Sequence, residues 1–387
     1  MSGTSDVSLP DLVANLIRID SVNPALDGDH AGETRLARFI ADWSRSHGLH
    51  VEWLEETPGR PSLLVTAKGT GGGRNLLLNG HLDTVGVKGM DEPFEPRVRD
   101  GHMYGRGVFD MKSSLAACLL TLLAAKEKQL RGDVIFAAVA DEESDSLGTA
   151  ETLAALAAAG TDVAAAIVTE PSDLDIHVAH RGFAIMDVEF TGKASHTAKP
   201  EAGVNALTHL GRLLARVEQQ AEKLRRGAAH PLLGHGSLQP VLASGGQELY
   251  TTPARATATL ERRTVPGESH ALARQEIDAI VAKLQAEDPS VKASVSSRIA
   301  REPFEVPLDS EIVRAVADAA QRVTGRPAAL VGAPYWTDAA LVAEAGIPTL
   351  LYGPRGGGIH QPTEWVELAS VETVRQVLTA TAVTICG

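Results

Sequence analysis

Cysteine is nearly absent: the 387-residue chain has two, Cys118 and Cys386. Neither a disulfide framework nor a thiolate zinc site can be built from them. Cys118 lies in a Leu/Ala-rich helical pattern and reads as a buried thiol. A positive charge balance is missing as well. The chain has 36 Lys+Arg against 49 Asp+Glu, a formal charge of −13, which argues against nucleic acid or an anionic membrane as partner. No apolar run reaches the ~18 residues of a membrane-spanning helix, and no basic region followed by an apolar stretch opens the chain. A cytoplasmic location is therefore expected. The opening Met1-Ser-Gly-Thr-Ser-Asp6 is polar and expected to be mobile.

What is present is ordinary for a globular enzyme, 44% hydrophobic and 22% charged. At 387 residues the chain exceeds one hydrophobic core, so two domains are expected. Short apolar runs end in polar residues of a particular kind. Asn75-Leu-Leu-Leu-Asn-Gly-His81 reads as a buried strand, followed by Asp83. Val134–Ala140 ends in Asp141-Glu142-Glu143, and Val163–Thr169 ends in Glu170-Pro171. Pro348–Tyr352 precedes a glycine-rich stretch ending at His360. Gly105-Arg-Gly-Val-Phe-Asp110-Met-Lys leads into a helical pattern from Met111 to Gln129. One acid after one strand is unremarkable. Histidines and acids after strand upon strand imply a shared site, because the carboxyl edge of an α/β sheet is where ligands bind.

The alternation of helix and strand up to Glu170 implies a mainly parallel sheet with helices on its faces. After Asp175 the texture changes. His180–Phe190 alternates in period two, a long helical pattern covers Val204–Arg226, two strands follow, and His270–Gln285 reads as a helix. The expected fold is α/β, with a catalytic domain of residues 1–179 plus 291–387 and an inserted α+β domain of residues 180–290. A free edge strand on the insert would offer a dimer surface. Gly69-Thr-Gly-Gly-Gly-Arg74 is read as a hairpin turn, not a nucleotide loop, since a strand and not a helix follows it.

Two histidines with several carboxylates and no cysteine suit Zn²⁺, or Co²⁺ or Mn²⁺ in its place. Carboxylates converging without a cation would repel one another, and a two-metal centre with one bridging carboxylate removes that conflict. The His81-x-Asp83 spacing suits an imidazole ligand whose other nitrogen is held by a carboxylate.

The set Gly80-His-Leu-Asp-Thr-Val85, Gly105–Lys112, Asp141-Glu-Glu143, Glu170-Pro171, Ser195-His-Thr-Ala-Lys-Pro200 and His360 after Gly353-Pro354 resembles the M20 metallopeptidases. That family includes acetylornithine deacetylase, succinyl-diaminopimelate desuccinylase and glutamate carboxypeptidase. The resemblance implies two zinc ions per subunit and a catalytic domain with an inserted dimerisation and lid domain. By the same resemblance Asp110 would bridge the metals, His81 and Glu170 would hold one, and Glu143 and His360 the other. Asp83 would orient His81, Glu142 would be the general base, and His196 would help hold the oxyanion from a neighbouring subunit. A cis peptide is implied at Asp110–Met111. Asn205 and Gly245-Gly246 are candidates for substrate contact, and Arg181, Arg255, Arg263 and Arg355 for a substrate carboxylate. Arg355 departs from the glycine usual at its place.

The expected function is hydrolysis of the amide bond of a small N-acyl amino acid or short peptide by a homodimer. The alternatives are a metallo-carboxypeptidase or dipeptidase of the same fold, or a catalytically silent metal-binding relative. Retention of Glu142 beside the full ligand set argues against silence. Nicotinamide chemistry would rest on the glycine-rich turn alone.

Overall fold

Apolar runs of Leu, Val, Ile and Ala become the central strands of a nine-stranded sheet in the computed structural model, which describes residues 8–30 and 32–387. The Met1–Asp6 segment lies outside those residues. Asn75–His81 runs parallel to Val134–Val139 on one side and to Val163–Val168 on the other. Thr349–Leu351 adds a fourth parallel strand next to Val163–Val168. Most of their residues are buried, as strands covered on both faces must be. Parallel strands end on the same edge, so the loops after His81, Val139, Val168 and Leu351 emerge together. Ser62–Ala67 and His50–Leu54 extend the sheet antiparallel beyond Val134–Val139.

The helix Ser113–Glu127 is Leu/Ala-rich around most of its circumference and correspondingly buried. With the turn before it, Val108–Glu127 is long and apolar enough to cross a membrane by length and composition, contrary to the sequence reading. Its most apolar window is 78% buried and it packs against Leu368–Cys386, which makes it a core helix.

Gly69–Arg74 is not a hairpin turn. The strands it joins, Ser62–Ala67 and Asn75–His81, flank Val134–Val139 and do not pair with each other. The segment crosses the end of the intervening strand. A Cβ on Gly73 would lie 2.1 Å from the Gly132 nitrogen, and one on Gly69 2.4 Å from the Arg131 oxygen. Close passage of two backbones is what requires glycine there.

Two units divide the chain. The larger comprises Met1–Val178, Val306–Val331 and Thr337–Gly387, and the smaller Ala179–Glu305 with Gly332–Trp336. The smaller therefore extends past the expected limit of residue 290. The reason is Lys292–Arg301, which pairs with Gly182–Thr191 as a fourth antiparallel strand. Strand order is Ser237–Gly245, Arg255–Thr264, Gly182–Thr191, Lys292–Arg301. The period-two pattern of Gly182–Thr191 buries Ala184, Met186, Val188 and Phe190 against Leu210, Leu213 and Val217 of helix Ala206–Arg226 and Ile277 and Val281 of helix His270–Glu287. Its other side chains are only partly covered.

Candidate metal centre

His81 closes the strand Asn75–His81 and is 1% exposed. Its Nδ1 lies 2.9 Å from the Asp83 backbone oxygen and 3.5 Å from the Asp83 carboxylate. A proton on Nδ1 is thereby held, leaving Nε2 to face Asp110 Oδ1 at 2.9 Å and Glu170 Oε1 at 3.6 Å. The Asp83 carboxylate has further partners. It accepts N–H bonds from Glu142 (3.2 Å) and Glu143 (3.1 Å) and the Asn23 amide (2.8 Å). One side chain thus fixes both the imidazole end of its own strand and the acidic turn after the next.

Asp110 leaves the Gly105–Lys112 turn with one oxygen toward His81 and the other 3.4 Å from His360 Nε2. The Asp110–Met111 peptide is cis. Glu143, on the turn after Val134–Val139, lies 3.2 Å from the same His360 nitrogen. Glu170 follows Val163–Val168 and is buried. Two ligand groups result: His81, Asp110 and Glu170, and Asp110, Glu143 and His360, each with its donor atoms within 4.8 Å of one another. Asp110 is common to both.

The electrostatics are those of a site built for cations. Burial, and then the neighbouring acids, raise the carboxyl pKa values of Glu142 and Glu170 well above the usual range and raise Glu143 also. Burial opposes protonation of His81, yet Glu170, Asp110 and Asp83 outweigh it and hold its pKa well above normal. Hydrogen bonds to Asp110 and Glu143 push His360 up to about 10. Acids crowded this closely favour positive charge among them, and the imidazole and carboxylate donors fit divalent ions.

Several residues of the site carried no assignment in the sequence reading. Asp141 is buried and accepts bonds from Asn23 (3.0 Å) and Arg60 (2.6 Å), and Arg60 forks onto the fully buried Glu33. Asp338 is buried and accepts the Thr149 hydroxyl at 2.6 Å, and burial pushes its pKa up to about 6. Glu364 is buried beneath the Asp110 turn. Asp141 and Arg106 stand inside motifs already singled out, though without a role. Glu33, Arg60, Asp338 and Glu364 are single polar residues far apart in sequence, with no spacing that could mark them.

The remaining expected residues belong to the smaller unit, apart from Arg355. His196 is exposed and its Nδ1 accepts the Ala198 N–H at 3.1 Å. Asn205 caps the helix Ala206–Arg226, accepting from Leu207 and Thr208. Gly245 and Gly246 line a cavity of about 530 Å³ with Ala194, Thr252 and Arg255. Arg255 pairs with Glu189, Arg263 with Glu261, Arg181 bonds the Leu233 carbonyl and Arg355 the Asp173 carbonyl. Each arginine is engaged within the protein.

Residues 77–384 match the sequence model of peptidase family M20/M25/M40. The chain is 30% identical to an acetylornithine deacetylase of Proteus mirabilis, over 96% of each chain. It is 28% identical to a succinyl-diaminopimelate desuccinylase of Roseobacter denitrificans, over 95% of each. A dinuclear metal-binding M20 peptidase of Bacillus subtilis shares the fold, with a TM-score of 0.73 at 15% identity over 98% of this chain and 97% of that one.

Proposed function

The chain belongs to peptidase family M20/M25/M40, and from that premise we propose a two-metal hydrolase that cleaves the amide bond of a small N-acyl amino acid. The observation that carries this reading is the Asp110 carboxylate, whose two oxygens face different histidines and which belongs to both ligand groups. In this reading His81 and Glu170 would hold one cation and Glu143 and His360 the other, with Asp110 shared between them. Zinc suits the donor set, with Co²⁺ or Mn²⁺ as substitutes. When bound, two such cations supply Lewis acidity toward the scissile carbonyl and make water acidic near neutral pH.

Glu142 is the base. Its carboxylate takes a proton from the attacking water and returns it to the departing amine nitrogen as the C–N bond breaks. Asp83 holds the His81 ring and, through the Glu142 and Glu143 amides, the turn that carries the base. His196 donates to the carbonyl oxygen as negative charge develops there, reaching it from the second subunit of a homodimer. A deacetylase and a desuccinylase that match nearly the whole chain favour acyl amino acids over peptides.

The test is a hydrolysis screen of N-acetyl and N-succinyl amino acids beside dipeptides, on zinc-loaded protein with and without chelator. Chelator-sensitive release of free amino acid from an acyl substrate is expected. Dipeptide cleavage alone would move the assignment to a dipeptidase, and no hydrolysis in any lane would sink it.

A further inference from the structure

We propose that Glu364 and Arg106 are positioning residues that lock the Asp110 turn to the His360 loop, and that they set the affinity of the second cation site selectively. The inference rests on the two-metal reading above.

Glu364 and Arg106 are 1% and 3% exposed, so neither belongs to the solvated surface. Glu364 Oε1 accepts the backbone N–H groups of Phe109 (2.9 Å) and Asp110 (3.1 Å). Its Oε2 accepts the Gly107 N–H at 2.9 Å and Arg106 Nη1 at 2.6 Å. One carboxylate thus takes four donors, three of them amides of the turn that presents Asp110. Amides curled around an anion normally make a binding nest, and here the anion is a side chain of the protein itself. Gly107 makes the curl possible, with φ +75° and with Thr84 Cγ2 only 2.5 Å from where its Cβ would sit.

Arg106 carries the connection onward. Its remaining donors reach the Gly86 carbonyl (3.1 Å) and the Gln361 carbonyl (3.2 Å), and Gln361 is the neighbour of His360. The His360 loop, between Gly356–Gly357 and Trp365–Glu367, is therefore tied down at Gln361 and at Glu364.

The two ligand groups differ in their need for this clamp. His81 closes a buried parallel strand, and Glu170 follows another by two residues. His360 has an exposed side chain and φ +58°, and no strand holds it. Loosening the clamp should therefore disturb Asp110, which both groups share, and His360 as well, while His81 and Glu170 stay in place, so the group of Asp110, Glu143 and His360 suffers more. Groups behind the ligands typically contribute about 10- to 100-fold in metal affinity.

The experiment titrates metal-stripped full-length protein with Co²⁺, following visible absorption and heat, beside thermal unfolding of the same metal-free samples. Glu364→Gln keeps the size but removes the charge and replaces one of the two acceptor oxygens with an NH2 donor, so the four donors can no longer all be met. Arg106→Lys keeps the charge but cannot reach Glu364, Gly86 and Gln361 together. Wild type should bind two equivalents. Both variants should weaken the second step by about 10- to 100-fold and the tighter step by distinctly less. Two unchanged steps would overturn the inference. So would equal weakening of both steps alongside a lower unfolding temperature, since that marks a purely structural clamp. If Glu364→Gln does not fold, Arg106→Lys decides by the same criteria. A wild type that binds fewer than two equivalents would remove the two-metal reading, and this inference with it.

Discussion

Glu142 sits among acids whose charges oppose its own, and that crowding makes its role testable apart from folding. Replacing it with alanine removes the proposed proton carrier but no member of either candidate ligand group. Turnover should fall by about 10²- to 10⁴-fold while metal content stays near wild type. Equal loss of both, read by kinetics and elemental analysis, would mean that Glu142 holds the metal. The same crowding fixes a pH dependence. Hydrogen bonds to Asp110 and Glu143 raise His360 from 6.5 to about 10, and Glu142, Glu143, Glu170 and His81 are also raised. A group raised on folding contributes stability below its unfolded value and loses it as pH climbs through the folded one. Asp83 and Asp110 are lowered instead, so their stability is lost only as pH falls below the ordinary 3.8. Metal-free protein should therefore unfold at progressively lower temperature from about pH 5 to about pH 7, above which the buried Lys112, held down to about 7, begins to oppose the trend. Bound cations compete with those same protons, so adding metal should raise the unfolding temperature most at the alkaline end. A metal-free protein that gains stability over the interval would contradict this account. At this scale the candidate ligands could be singled out because each follows an apolar run or lies in a motif. Glu33, Arg60 and Glu364 were not, because a lone charged residue in a sequence reads as solvated surface until its partners are known.

Single elements were legible in the sequence to within a few residues wherever a period was present. The alternation of Gly182–Thr191 and the apolar runs of Asn75–His81 and Val134–Val139 are local properties. Their neighbours are not. Nothing local says that Val134–Val139 inserts between the two strands joined by Gly69–Arg74, so the segment reads as a hairpin when it is a crossover. The structural reading makes its glycines steric. Gly73→Ala would press a methyl onto the Gly132 backbone and should cost about 1–3 kcal/mol in urea unfolding. A solvent-facing turn would show almost no change. Asn205 separates two readings in the same way. As the cap of Ala206–Arg226 it should lose about 1 kcal/mol on mutation to alanine and almost nothing on mutation to aspartate, which caps as well. If Asn205→Asp destabilises as much as Asn205→Ala, capping is not what the side chain contributes.

For the whole molecule, the discontinuous plan could be read from the change of texture after Asp175, but the limit of the insert could not. Lys292–Arg301 alternates weakly and is largely exposed, so only its pairing with Gly182–Thr191 assigns it to the smaller sheet. That sheet ends at Ser237–Gly245, whose outer edge pairs with nothing among the described residues. Val241 and Leu242 on this strand are 45% and 62% exposed, and Leu249 and Tyr250 just beyond it are 88% and 72% exposed. An unpaired edge beside exposed large apolar side chains is the kind of surface that a second copy covers. Sedimentation should give twice the 40.7 kDa chain mass. Leu242→Lys combined with Tyr250→Ser should shift the protein to monomer without changing metal content, because no metal-ligand residue lies on that strand. Should His196 act across the dimer, the monomer would also lose turnover, and mixing it with a Glu142→Ala partner of intact interface should not restore what the monomer alone lacks. A wild type that sediments as a fully active monomer would assign His196 to its own subunit and leave the apolar edge without a partner.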